Sequence, residues 1–242
     1  MIDLKNKNIT AMFEKIKENF DDYNLKARVY PSLIALAPFF LLAYILIKNQ
    51  AGLNIIASLA SSSLITMLLL FFISDIVRNL GKFLESKVFG NELYFPTTEI
   101  LLHINTYLTA EKRLKIYDKI RSDFQFSLAT EVEEKNNENL ARQKIKEAVG
   151  LVRQKVTNGR LLLQFNIRYG FWRNLIGASL FSCAFCIVDL VIFLLFYTSF
   201  ASSFIALILF LFYLSIFLFR KLLLKFFGFQ YAEQLFLEYL TK

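Results

Sequence analysis

The sequence predicts an all-α fold: a polytopic membrane protein with four transmembrane helices in two hairpins and a helical cytoplasmic domain between them. Three observations predict it. Hydrophobic residues fill 56% of the 242 positions, 27 of them phenylalanine, above the roughly 45 to 50% of soluble domains. The 8 glycines and 3 prolines are too few for the tight turns of a sandwich or barrel, and no alternating period-2 segment of useful length occurs. The charged residues, 20% of the chain with a net charge of +8, are gathered between long uncharged runs.

Residues 1–28 come first. Ile9, Met12, Phe13, Ile16, Phe20 and Tyr23 recur there at three- and four-residue spacings, the pattern of an amphipathic cytoplasmic helix. Its mixed charge favours packing on protein over lying on lipid and does not match a cleaved signal peptide, so the first span is expected as a retained anchor. That span covers 29–47, nineteen residues without a charge, about what a helix rising ~1.5 Å per residue needs to cross a ~30 Å hydrocarbon core. A polar turn at 49–52 opens twenty-six further uncharged residues, 49–74, which hold the second span. The hairpin is therefore 29–74. After Arg173 the chain is uncharged to Phe219 apart from Asp189, too long for one crossing. The break at 198–202 divides this stretch into the third and fourth spans, a second hairpin at 174–219.

Lys and Arg number 6 in residues 1–28, 17 in 75–173 and 4 in 220–242. The positive-inside rule then puts both termini and the central domain in the cytoplasm. In that domain, 75–173, the spacing of Ile76, Leu80, Phe83, Leu84 and Val88 continues the second span as a helix. A helix start is read at Pro96-Thr97-Thr98-Glu99, with hydroxyls to cap it. Another is read at Thr109-Ala110-Glu111, with Leu114, Tyr117, Ile120 and Phe124 on one face. The acid-rich stretch 127–139 reads as a surface loop, with Glu133 and Glu134 solvated. A last helix over about 138–156 turns Leu140, Ala141, Ile145, Ala148, Val149, Val152 and Val156 inward, and most of its basic residues outward. Residues 220–242 form a C-terminal cytoplasmic helix. A domain of this size is marginal alone and favours association with the spans or with further copies.

The residues offer no seat for catalysis. His103 is the single histidine and has no ligand partner at helical spacing, and no phosphate loop, nucleophile elbow or zinc-protease motif occurs. No enzyme activity, cofactor or metal is expected. Cys183 and Cys186 read as small packing residues of the third span. The informative residue is Asp189, whose burial in lipid costs about 2.5 to 3.5 kcal/mol on insertion scales. It either lines a cation path where subunits meet or is a protonated or hydrogen-bonded acid inside the bundle. Ser58, Ser62 and Thr66 lie at four-residue spacing on the second span, a stripe that suits a pore wall or close helix packing. Lys112, Arg113, Lys115, Arg142, Lys146 and Arg153 are candidates for binding a trigger or partner, a nucleotide or nucleic acid, with anionic lipid as the equal alternative. Tyr169, Gly170, Trp172 and Arg173 read as a coupling elbow: a bend at Gly170, an interfacial Trp and an Arg among headgroups.

The segments Phe95-Pro96-Thr97-Thr98-Glu99-Ile100-Leu101-Leu102-His103 and Asn166-Ile167-Arg168-Tyr169-Gly170-Phe171-Trp172-Arg173-Asn174-Leu175-Ile176-Gly177 resemble those of small four-span membrane effectors encoded in bacterial anti-phage defence loci. The channel-type effector of the Hailong system is one named protein that the chain resembles, and the likeness covers about residues 28–180. The resemblance implies a homo-oligomeric ion channel, expected as a tetramer in the bacterial inner membrane. It would rest closed, open from the cytoplasmic side during infection and depolarise the cell. Apart from the resemblance, a nucleotide or nucleic-acid signal or a soluble defence protein is expected as the cytoplasmic partner. The Pro-Thr-Thr and Tyr-Gly-x-x-Arg-Asn segments mark that group without assigning roles to single residues. The alternative from another class is a non-conducting membrane-anchored scaffold that recruits a soluble defence partner.

Overall fold

The computed structural model describes residues 22–48, 63–156, 159–197 and 200–242, and side chains in the second segment from residue 69 onward. Every regular element among the described residues is helical. In chain order they are α1 (Asp22–Ala35), α2 (Ala37–Lys48), α3 (Ser63–Phe89), α4 (Pro96–Glu99), α5 (Ala110–Phe124), α6 (Glu131–Asn136), α7 (Glu138–Lys155), α8 (Arg160–Leu195), α9 (Phe200–Leu218) and α10 (Arg220–Leu240). Two of them, α8 and α9, are long and apolar enough to cross a membrane, and the bent pair α1 and α2 makes a third if it is one span. The amphipathic helix expected over residues 9–23 lies outside the described residues except for Asp22 and Tyr23, as do the turn at 49–52, Ser58 and Ser62. The chain divides into two units: unit 1 is Met1–Lys82 with Gly170–Arg220, and unit 2 is Phe83–Tyr169 with Lys221–Lys242.

Unit 1 is built from α1, α2, α9 and parts of α3 and α8. The expected straight first span is broken: α1 and α2 meet at Leu36 with a 46° bend, and α1 contains one π-helical stretch, Leu25–Val29. Pro38, two residues past the break, explains it. A proline has no N–H to return to the carbonyl four residues earlier, so the Ile34 carbonyl loses its helical partner. Tyr213 of α9 donates its hydroxyl to that carbonyl, and Ser182 of α8 donates to the Ala35 carbonyl at 2.9 Å. Where no water is at hand, side chains must satisfy such freed backbone groups.

Close helix contact does the rest. A Cβ placed on Gly177 would stand 2.3 Å from the Gly81 amide nitrogen, and one on Gly81 would stand 2.7 Å from the Arg173 carbonyl oxygen. Helices α3 and α8 therefore touch backbone to backbone, which only the missing side chains permit. Asn174, fully buried beside this crossing, donates to the Ala27 carbonyl of α1 at 2.6 Å. The outer surface is apolar: Phe72, Phe200, Leu211 and Leu218 are all more than half exposed.

Unit 2 packs like a soluble domain. One cluster joins Ile100, Leu101, Leu102, Ile116, Ile120, Ile145, Val149 and Val152 to Ala232, Leu235, Phe236 and Tyr239 of α10. The C-terminal helix is thus part of this core rather than an appendage. Its Gly228 lets the backbone approach Pro96, whose Cγ would lie 2.6 Å from an added Cβ.

Several expectations need correction. The Pro96 start yields only the four-residue α4, and Thr97 and Thr98 are buried inside it rather than capping it. On α5, Thr109 does cap, accepting from the Lys112 amide at 3.3 Å, but Leu114 is exposed and Ile116 takes its place inward. The supposed loop at 127–139 holds α6, started by a capping box between Thr130 and Glu133. On α7 the inward face is as expected, except that Leu140 is exposed and Arg142 is buried.

Candidate functional site

Asp189 lies on α8 in register with Ser182, Cys186 and Phe193, all on the buried face. Cys183, Cys186 and Tyr213 form one apolar cluster on one side of it, and Ile45, Phe193 and Ala206 form another on the other side. The residue is 0% exposed, and among the described residues neither carboxyl oxygen has a hydrogen-bond partner. A residue lining a path between subunits would be open on the surface of a single chain. Asp189 therefore sits inside the bundle of its own protomer, the second of its two readings, yet without the hydrogen bond which that reading expected. An unpartnered carboxyl in so apolar a place carries an uncompensated desolvation cost. Thr66 lies on α3 with its side chain outside the description, and Ser58 and Ser62 lie outside the described residues.

The six basic candidates in unit 2 do not form one open face. Arg113 is buried and donates to the carbonyls of His103 (3.0 Å), Asn105 and Leu108 (3.4 Å), so it pins the 100–108 segment from within. Arg142 is buried as well. It pairs with Glu99 and Glu138 at 2.7 Å each, donates to the Leu93 carbonyl at 3.0 Å and lies 4.4 Å over the Tyr94 ring. Burial alone would lower its pKa, but the two carboxylates outweigh that and raise it. Lys146 meets Glu92 at 2.6 Å, and Arg153 reaches Thr97 and the Tyr231 ring. Arg142, Lys146 and Arg153 of α7 thus hold the 92–99 segment. Lys115 pairs with Glu111 at 2.6 Å, and Lys112 stands 3.9 Å from Glu233. Paired in this way, the candidates lose most of the field a nucleic acid would need.

Two clefts of about 450 Å³ open in unit 2 and share Glu99, Asn105 and Phe229. One is completed by Ile104, Thr106 and Tyr107, with the Tyr107 and Phe229 rings stacked at 5.1 Å. The other adds Tyr94, Arg142 and Lys225. Sequence reasoning missed Lys225 and Phe229 because nothing in their helical spacing marks a concave wall. It also missed Glu134, which is buried and accepts from the His103 amide and ring Nδ1, each at 2.9 Å, and from the Ile104 amide at 3.3 Å. His103 is accordingly a residue of the domain's framework. Among the described residues no group of His, Cys, Asp and Glu is placed to hold a metal ion.

The elbow residues fall where the two units divide, between Tyr169 and Gly170. Helix α8 runs through them without a break. Gly170 admits α1, with Ala27 Cβ 3.1 Å and Tyr23 Oη 3.3 Å from the position of an added Cβ. Tyr169 donates its hydroxyl to Glu85 and stacks on Tyr231. Trp172 and Arg173 are half-buried in unit 1.

No protein-family model, curated protein or solved structure matches the chain.

Proposed function

We propose that this protein is a membrane effector of bacterial defence: an oligomeric ion channel, closed in the conformation described above and opened from the cytoplasmic side to depolarise an infected cell. It would sit in the inner membrane with four spans and both termini inside. The observation that carries the reading is Asp189. A helix that merely anchors a domain gains nothing from an acid without a partner, and intramembrane carboxylates ordinarily mark ion or proton paths. The buried position fits a closed state in which the acid meets water only when the helices around it separate. The break at Leu36 and the polar contacts of Ser182 and Tyr213 supply a bendable element on the same helix bundle. Helix α8 contributes residues to both units.

A potential-sensitive dye in cells expressing the full chain tests this. Depolarisation after phage infection is the expected result, and infected cells that keep their full potential refute conduction. The clefts of unit 2 favour, as a second reading, a non-conducting membrane anchor that recruits a soluble partner. Asp189→Asn separates the two, since a scaffold tolerates it and a conducting path does not.

A further inference from the structure

Three arginines close the apolar runs of this sequence at one end. Arg28 precedes the uncharged stretch 29–47, Arg173 precedes 174–188, and Arg78 follows 49–74 after a single acid, Asp75. They lie far apart in the chain, and unit 1 brings them together. The junction is Asn174, which donates to the Ala27 carbonyl and whose Oδ1 lies 3.0 Å from the position of a Cβ on Gly81. Arg28 is next to Ala27, Arg173 is next to Asn174, and Arg78 stands one helical turn before Gly81. Arg28 accordingly interacts with Arg78 and Arg173 as like charges, with Asp75 the one acid among its named neighbours.

Like charges drawn together in a structure need an anion. Among the described residues neither Arg28 nor Arg78 has a salt-bridge partner. The Nε of Arg28 is buried with no hydrogen-bond acceptor, and its guanidinium lies 5.7 Å over the Tyr23 ring. Guanidinium forks match the oxygens of a phosphate group, as they do those of a carboxylate. At the end of three apolar runs, the group at that height is the headgroup phosphate of the anionic cytoplasmic leaflet.

We infer that Arg28, Arg78 and Arg173 form a phosphate-binding site on unit 1, filled by the headgroup of an anionic phospholipid. The inference goes beyond the functional reading above. It requires that unit 1 enter the bilayer and is indifferent to whether the protein conducts.

The test uses the full chain purified in detergent. Native mass spectrometry reads retention of phosphatidylglycerol or phosphatidylcholine, and thermal unfolding is followed with each lipid and with inorganic phosphate. Phosphatidylglycerol is expected to be retained and to raise the unfolding temperature more than phosphatidylcholine. Arg78→Gln is expected to weaken retention about tenfold, the loss of one charge-assisted contact. Arg78→Lys, which keeps the charge, reads the same contact if the glutamine variant folds poorly. Arg220→Gln is expected to leave retention unchanged, since that guanidinium caps the Phe217 carbonyl and ring. Stabilisation by inorganic phosphate that disappears in Arg78→Gln supports the same site with a free phosphate as its source. Retention that fails to distinguish the two lipids, or that Arg78→Gln leaves intact, overturns the proposal.

Discussion

Unit 1 and unit 2 are folded by opposite rules. In unit 2 the large aliphatic residues are inside, as in the Ile100, Ile116, Ile145 and Phe236 cluster, and the charged residues are paired around them. In unit 1 many large residues are outside, with Phe200 85% exposed and Phe72 66% exposed, while Gly81, Asn174, Gly177, Ser182 and Asp189 are inside beside Phe193 and Tyr213. A difference of this kind is the one that two solvents make. Water rewards burial of apolar area, whereas lipid tails do not, so helices in lipid are joined by backbone contact and by hydrogen bonds between polar groups. We propose that function attaches to the exception in each unit: the acid without a partner in unit 1, and the clefts among paired charges in unit 2.

If unit 1 is held by backbone contact, enlarging its smallest residue should do the most damage. Gly177→Val forces carbon into the Gly81 backbone, and we expect a loss of more than ~3 kcal/mol, above the usual range for overpacking. Thermal unfolding in detergent with a failed or aggregated product is the expected readout. In unit 2 the largest loss should come from a buried charge. Glu134→Ala leaves the His103 and Ile104 amides without an acceptor and is expected to cost about 2–4 kcal/mol. Hydrogen exchange should accelerate over residues 100–108 before it changes in unit 1. Tyr213→Phe removes the donor to the Ile34 carbonyl. A cost of about 1–2 kcal/mol is expected from the denaturation midpoint, confined to unit 1.

The surface pairs of unit 2 should matter least. Lys146 holds the Glu92 carboxylate below its ordinary pKa, and Lys155 and Tyr239 do the same to Asp123. A depressed carboxylate pKa stabilises the fold above the unfolded value of about 4 and loses that contribution as pH falls through the lower folded value. Stability measured from pH 6 to pH 3 should therefore decline slightly at the acid end and be flat above pH 5. Lys146→Met and Lys155→Met should reduce that slope, leaving the part carried by Glu111, Glu131 and Glu133, which hydrogen bonds also hold low. Leu114→Ala, on an exposed position, should stay within ~0.5 kcal/mol of the parent.

Much of this contrast is legible in the sequence because it follows the charge. The uncharged runs that hold α2, α8 and α9, the Thr109 cap of α5 and the inward stripe of α7 were all readable from spacing alone. Helix α6 had a signature too, Thr130 followed three residues later by Glu133, but the acids around it read as solvent-exposed. Other features depend on residues distant in the chain. Arg142 reaches the Leu93 carbonyl and Gly177 faces Gly81, and no local period encodes either. The place of α10 in the unit 2 core is likewise a tertiary choice. Asp189 was singled out by its cost in lipid, but periodicity alone did not show which way it points, since α8 is apolar on every side.

The account rests most heavily on that carboxyl. Currents recorded from giant spheroplasts of infected cells expressing the full chain test it directly. The account predicts a cation-selective current in the parent and, in Asp189→Asn, a current that is lost or shifted in reversal potential. Parent and variant currents of equal size and selectivity, or no current in either, would contradict it.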